Sequence, residues 1–463
     1  MKKILTHWTF AFLTLFIVTY IGLKDPQIKE VLRLKGFDLL LQSEPKEISQ
    51  DIHIVSIDEK AIEKYGQWPW KRDVLAETIW KLREAGAGII VLPILFAEED
   101  RLGGDVDLAQ ALVGNGVVVA QVGTTQTNKN AVPRGVAKIG DPMPWLFEWP
   151  GMLGPIPLIG DNVDGVGVLN TAPEIDGVVR RLPLLMRVGD EVYPSMAIET
   201  IRVATGDPSY QVKTEQGGIT KMRVPQYATI QTDSNGQIWL RWNKQFESIS
   251  LAEDDYTPLA GKTVIIGMTA EGLGNIIATP NGEVYAHLLP ATALQNIING
   301  DTITRYDYAT FVEWIAAVIL GLLLILAAAR APYWFAGALI LIATISPVYG
   351  AYIAFKGHLL LWDWSWPVLV SAIVGFHSIF NRFVSEYFQK QAIKKQFAGY
   401  ASPTVVRMLQ ENPALIKDGM KKEISICFSD LRGFTPLGES FGDDVKGLTK
   451  LMNGYMDSIT QPV

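Results

Sequence analysis

Four apolar blocks constrain this chain more than any other feature, because a helix apolar on all sides for about twenty residues needs a bilayer or a large core around it. The first, "ILTHWTFAFLTLFIVTYIGL" (residues 4–23), follows Lys2 and Lys3. It has spanning length, outruns the apolar core of a signal peptide, and is followed by "IGLKDPQ", which offers no small-x-small cleavage site. An uncleaved anchor is expected over a cleaved leader. The other blocks, "FVEWIAAVILGLLLILAAA" (311–329), "WFAGALILIATISPVYGAYIAF" (334–355) and "WSWPVLVSAIVGFHSIF" (364–380), are each near spanning length. Pro347 and Pro367 are awkward in a soluble helix, but membrane helices tolerate proline where neighbours re-satisfy the freed carbonyls.

Four crossings would leave both termini on one side, and the charges agree. Lys2, Lys3, Arg330, Arg382, Lys390, Lys394 and Lys395 all fall on that side, which is then cytoplasmic, while the opposite short loop "KGHLLLWD" carries one Lys and one Asp. A buried helical hairpin in a soluble protein would not need this sidedness. A transporter or channel is disfavoured, because the spans hold almost no ionisable groups at mid-depth and Glu313 and His377 lie near opposite ends. The only cysteine is Cys427, so the long segment between the first two blocks has no disulfide and must rely on its own core.

That segment alternates strand and helix signals. "DIHIVSID" and "AGIIVLPILF" read as strands around the helices "AIEKYG" and "KRDVLAETIWKLREAG", with Leu75, Ile79, Leu82 and Trp80 placed for burial. This predicts a βαβ unit with parallel pairing. "GGDVDLAQALVGNG" and "VVVAQVG" repeat the theme, Asp176-Gly177 signals a tight hairpin turn, and "KTVIIGMTAEGLGN" precedes the helix "HLLPATALQNIING". The glycines from Gly267 to Gly274 fit neither a dinucleotide fingerprint nor a Walker loop, so a tight turn is expected rather than a phosphate cradle. Arg180 and Arg181 are adjacent on a strand-like stretch and point to opposite faces, so they cannot form one anion clamp; a solvated face is expected, with at most one lining a pocket.

The ordered set "SIDEKAIEKYGQWPWKRDVLAETIWKLREAGA", "EIDGVVRRLPL", "YPSMAIE" and "GKTVIIGMTAEGLGN" resembles the type-two CHASE extracellular sensory domain of bacterial cyclases, histidine kinases and diguanylate cyclases, over roughly residues 26–308. One departure is Pro93 in "PILF", where the family often carries an Asp; a proline there also argues against a central strand.

Beyond the last block, "NRFVSEYFQKQAIKKQFAGYASPTVVRML" keeps apolar residues at Phe383, Tyr387, Phe388, Ile393 and Phe397 in helical spacing. The stripe reads as a packing seam that continues the last span and pairs with a second copy, with a plain juxtamembrane linker as the alternative. Ser402 and Pro403 read as the cap and first turn of a short helix. "ISICF" then reads as a strand ending at Asp430, followed by a turn at Gly433 and an amphipathic helix bearing Leu448, Leu451, Met452, Tyr455 and Met456. Taken alone, Asp430 fits a magnesium ligand at a strand end or a helix cap equally well.

The string "SPTVVRML…KKEISICFSDLRGFTPLGE" resembles the start of a class III nucleotide cyclase catalytic domain, matching its F-S-D-I-R-G-F-T motif except for Leu431. The resemblance implies that Asp430 is the first of two metal-binding aspartates, that Leu431 lends a backbone carbonyl to a metal, and that Gly433, Phe434 and Thr435 wrap the triphosphate. It also implies two magnesium or manganese ions, a homodimer, and attack of the ribose 3′-hydroxyl on the α-phosphate of ATP, with GTP second. The second aspartate and the base-selecting residues would lie past Val463, and Asp443 and Asp444 come too early to replace them.

The expectation is therefore a multidomain membrane protein in the bacterial inner membrane. It comprises an anchor (1–24), a mixed α/β extracytoplasmic sensor domain (25–308), three further spans (309–380) giving an α-helical region of four, a coupling helix (381–400) and the incomplete start of an α+β, ferredoxin-like cyclase domain (401–463). Expected partners are the membrane, a nucleoside triphosphate and an unidentified extracytoplasmic ligand or protein, with no nucleic acid. The segment alone is expected to be inactive; a non-catalytic tethered sensor or dimerising decoy is the alternative.

Overall fold

The computed structural model describes residues 10–125, 128–397, 423, 428 and 430–460. The chain divides into two compact units, residues 1–386 and 387–463.

The first unit opens with α1 (Phe10–Leu23) and α2 (Gln27–Gln42), joined at Asp25, which takes the left-handed region (φ 44°), and Pro26. Then come β1 (Ile52–Ile57), α3 (Glu59–Tyr65), α4 (Arg72–Glu84), β2 (Ile90–Leu95), α5 (Asp105–Leu112), β3 (Val117–Thr124), β4 (Gly151–Leu153), β5 (Gly165–Val168) and α6 (Met196–Thr205). After an excursion of small antiparallel ribbons the chain returns as β6 (Ser248–Ser250), β7 (Thr263–Met268), the hairpin β8 (Ile276–Thr279) and β9 (Gly282–Tyr285), and α7 (Leu288–Asn299).

The main sheet runs β6–β1–β7–β2–β3, with β5 added parallel and β4 antiparallel to β3. Its strands are apolar on both faces because both are covered. Ile52, Ile54, Val118 and Ile265 pack against α6 and α7, while Val55, Ile57, Val117 and Ile266 pack against α4 and α5. The result is a three-layer α/β sandwich of the kind the alternating signals call for.

Three sequence expectations change in detail. The strands β1 and β2 are parallel members of one sheet but not neighbours, because β7, arriving much later in the chain, inserts between them. The strand around Pro93 does form: the β2–β3 register shifts between Leu92 and Leu95, so the proline sits at an irregularity where its missing N–H breaks no ladder. On α4, Leu75, Ile79 and Leu82 are buried but Trp80 is half exposed, since it lies on the helix flank away from the sheet. Asp176 and Gly177 form the expected tight turn, with Gly177 at φ 80° and its N–H donated to the Glu174 carbonyl, although no regular strands flank it.

Three helices are long and apolar enough to cross a membrane: α8 (Ala309–Arg330), α9 (Tyr333–His358) and the first 29 residues of α10 (Ser365–Phe397). The described part of the first apolar block, α1, has 14 residues and packs with them. Leu15 of α1 abuts Gly321 of α8, Trp314 Nε1 donates to the Thr19 carbonyl at 3.1 Å, and Thr14 Oγ1 lies 2.6 Å from His377 Nδ1 of α10. Where α8 ends, Arg382 of α10 donates to the carbonyls of Ala328 (3.0 Å) and Ala331, ion-pairs with Glu386 at 3.0 Å, and stacks 4.4 Å from the Tyr333 ring centroid. Helix α10 is continuous through Tyr387, Phe388 and Ile393. The second unit holds the last turns of α10 with α11 (Phe434–Phe441) and α12 (Val445–Thr460). The expected cap at Ser402 lies outside the described residues, as do nearly all of the expected strand over 424–428 and its Cys427.

One close approach fixes how β5 meets α6. A Cβ on Gly167 would sit 2.5 Å from Met196 Cα and 2.8 Å from its backbone nitrogen, atoms that cannot move aside without shifting α6. Gly167→Ala is expected to destabilise the outer domain by about 1–3 kcal/mol, read as a lower melting temperature of the purified protein.

Candidate functional site

The root of the outer domain gathers the strongest chemistry. Helix α2 presents Leu34, Phe37, Leu40 and Leu41 along one face, a helical spacing that buries them against Trp239 and Ile303 of the outer domain and Ala351, Phe355 and Leu361 of the membrane region. Phe37 meets Trp239 edge-on at 5.6 Å. Backbone continuity reinforces the contact: Thr304 N donates to the Leu359 carbonyl and Leu361 N to the Thr304 carbonyl, each at 2.9 Å.

Around this apolar seam three arginines tie the parts together. Arg180, with no solvent exposure, reaches Asp38 of α2 through Nε (2.6 Å) and Nη2 (2.8 Å), and Asp176 through Nη1 (2.8 Å) and Nη2 (2.7 Å). Arg241 grips Glu44, just past α2, at 2.6 and 2.7 Å and reaches Asp301 at 3.1 Å. Arg305 grips Glu313 of α8 at 2.7 and 3.0 Å, and the same carboxylate accepts the Asp363 amide at 2.6 Å. These are bidentate, charge-assisted pairs in a water-poor setting, the geometry in which ion pairs are strongest.

The solvated face expected for Arg180 and Arg181 is thus overturned. Adjacent positions do point apart, but each side finds a carboxylate: Arg181 pairs with Glu174 at 2.6 and 2.8 Å. The hydrogen bonds from Arg180 hold the Asp176 carboxyl well below the usual carboxylate range, outweighing burial, with Lys35 adding to the effect. Burial pulls the Arg180 guanidinium down, yet Asp38 and Asp176 together raise it above its ordinary value.

The glycine-rich loop after β7 is a turn, as expected. Gly267 admits the ring of His287, whose atoms lie 2.5 Å from where a Cβ would be, and Gly274 does the same for Tyr285. The two rings stack at 5.7 Å, and burial pushes the His287 imidazole down to about 4.

In the second unit, Asp430 is exposed and its Oδ1 accepts the Leu431 amide at 2.9 Å. Gly433 adopts φ 83° and leads directly into α11, so Phe434 and Thr435 are its first two residues. Such a turn leaves the first amides of the helix free for phosphate oxygens. A hard carboxylate suits magnesium or manganese, but among the described residues no three His, Cys, Asp or Glu side chains gather into a metal site. Asp430 therefore stands without a complete metal centre among the described residues, and no catalytic step is derived from it.

The sequence reading passed over α2 and with it Asp38 and Glu44. Its apolar spacing was visible in "QIKEVLRLKGFDLLLQ", but the partner of Asp38 lies 142 residues away and left no local signal.

Removing Arg180 strands two buried carboxylates, so Arg180→Met is expected to cost about 3–5 kcal/mol. The penalty shrinks in acid. Because the Asp176 pKa is depressed in the folded wild type, its stabilisation is complete above the ordinary carboxylate range and is lost as the pH falls below it, whereas protonation relieves the variant. Denaturation curves at pH 7 and pH 4 would show the gap closing.

A family model described as the CHASE2 domain matches residues 10–329, reaching past the outer domain to α1 and nearly all of α8. No curated protein and no solved structure matches the chain.

Proposed function

The chain belongs to the CHASE2 domain family, and from that premise we propose that it is a receptor nucleotide cyclase. The coarse part follows from membership: a CHASE2 extracellular sensor on apolar, membrane-capable helices makes a transmembrane receptor. The finer part goes beyond it. We take the cyclase to convert ATP, with GTP second, to the 3′,5′-cyclic nucleotide and pyrophosphate, as a magnesium- or manganese-dependent homodimer in a bacterial inner membrane. The single observation that carries it is the string "FSDLRGFT" (428–435), with Asp430 exposed and Gly433 turning into α11.

In this reading the first apolar block, to which α1 belongs, is a fourth span, and both termini are cytoplasmic. Cys427 serves as a native probe because it is the only cysteine. In intact cells, a membrane-impermeant maleimide is expected to label Leu102→Cys, on the exposed surface of the outer domain, and to reach Cys427 only after lysis. Labelling of Cys427 from outside would reject the topology.

For activity, a chain extended past Val463 is expected to cyclise magnesium- or manganese-ATP, and Asp430→Ala to lower the rate about a hundredfold or more, since both metals must be held for in-line displacement. No product from the extended chain, or no effect of the substitution, would sink the cyclase reading. The second reading is a non-catalytic tethered sensor, for which the matched CHASE2 domain suffices without a catalytic end, and the same assay separates the two.

A further inference from the structure

Between α2 and the turn linking β8 to β9 lies an open groove of about 680 Å³, within the range of small-molecule sites. Helix α2 and the segment after it supply Lys35, Leu39 and Lys46; the opposite wall is Val178 and the Pro280-Asn281 turn. Gln42 Nε2 bridges the two walls at the Pro280 carbonyl, 2.5 Å away.

The chemistry of this groove has a sign. Its carboxylates, Asp38 and Glu44, have side chains only 9% and 4% exposed; Asp38 accepts two hydrogen bonds from Arg180 and one from Lys35, and Glu44 accepts two from Arg241. The charge left accessible is positive. Lys35 is 55% exposed and shares Asp176 (2.9 Å) and Asp38 (3.5 Å) with Arg180, while Lys46 is exposed with no ion-pair partner among the described residues. Leu39, 59% exposed, together with Val178 and Pro280 adds apolar surface.

We propose that this groove is the sensor's ligand site and that it takes a small organic anion, a carboxylate on a short apolar body, with the acid group held by Lys46 and Lys35. The proposal rests on the receptor reading and gives its sensor a ligand class. A molecule lodged there braces α2 against the β8–β9 hairpin, and α2 passes through the Asp25-Pro26 joint directly into α1. A ligand that fits one spacing of the two walls better than another shifts the balance between them by that difference in affinity.

The test is isothermal titration of the full chain in lipid nanodiscs with succinate, glutamate and butyrate, beside neutral succinamide and inorganic phosphate. Saturable binding of at least one carboxylate is expected, with no heat from succinamide. Lys46→Gln is expected to weaken it about tenfold, the size of one lost charge-assisted contact, and Lys35→Gln to weaken it in the same direction. Hydrogen exchange should slow over residues 35–46 and 279–282 when the ligand is present. Silence from all three carboxylates, binding unchanged in Lys46→Gln, or binding of phosphate alone would overturn the proposal. The readout is binding, so an inactive catalytic end leaves this result untouched, and an empty groove leaves the topology and cyclase tests standing.

Discussion

The buried guanidinium of Arg180 is the interaction on which the arrangement of the outer domain over its membrane helices depends. A cation with no solvent exposure is tolerated only if carboxylates replace its water, and the two that do so come from different parts of the chain: Asp38 from α2 and Asp176 from the turn of the outer domain. Pulling α2 away would leave charge stranded in an apolar setting, which costs far more than the pair gains over a hydrophobic substitute. The contact is thus better suited to specifying one seat for α2 than to adding stability. Arg241 repeats the device six residues further on, at Glu44 just past the end of α2, and Arg305 repeats it at Glu313, so the α2 segment and α8 are both referenced to the outer domain by fixed, directional contacts.

The family match extends over both flanking apolar helices as well. Leu34, Phe37 and Leu41 share one apolar cluster with Trp239 of the outer domain and Phe355 of α9, which leaves no clean boundary between sensor and membrane region at this point.

Much of this was legible in the sequence because it is written in local periodicity. The apolar runs of β1, β3 and β7 and the spacing of Leu75, Ile79 and Leu82 announced a covered parallel sheet, and the apolar blocks announced α8, α9 and α10. Strand order was not legible: nothing local says that Thr263–Met268 slips between Ile52–Ile57 and Ile90–Leu95. Trp80 misled because size and apolarity argue for burial while helical phase decides it. Arg180 misled for the converse reason, as a charge reads as solvated until its remote carboxylates are known. The turn at Gly433 was readable from glycine alone, but whether Asp430 meets a second metal ligand depends on pairing that single-sequence patterns do not encode.

Helix α10 offers a last consequence. Its 33 residues make a rod of about 50 Å, and Arg382 hooks it onto the carbonyls that end α8. A piston-like stroke of even a few ångströms would strip those bonds and lift the guanidinium off the Tyr333 ring, whereas a swivel about that point keeps both. The far end of the rod is thereby steered rather than pushed.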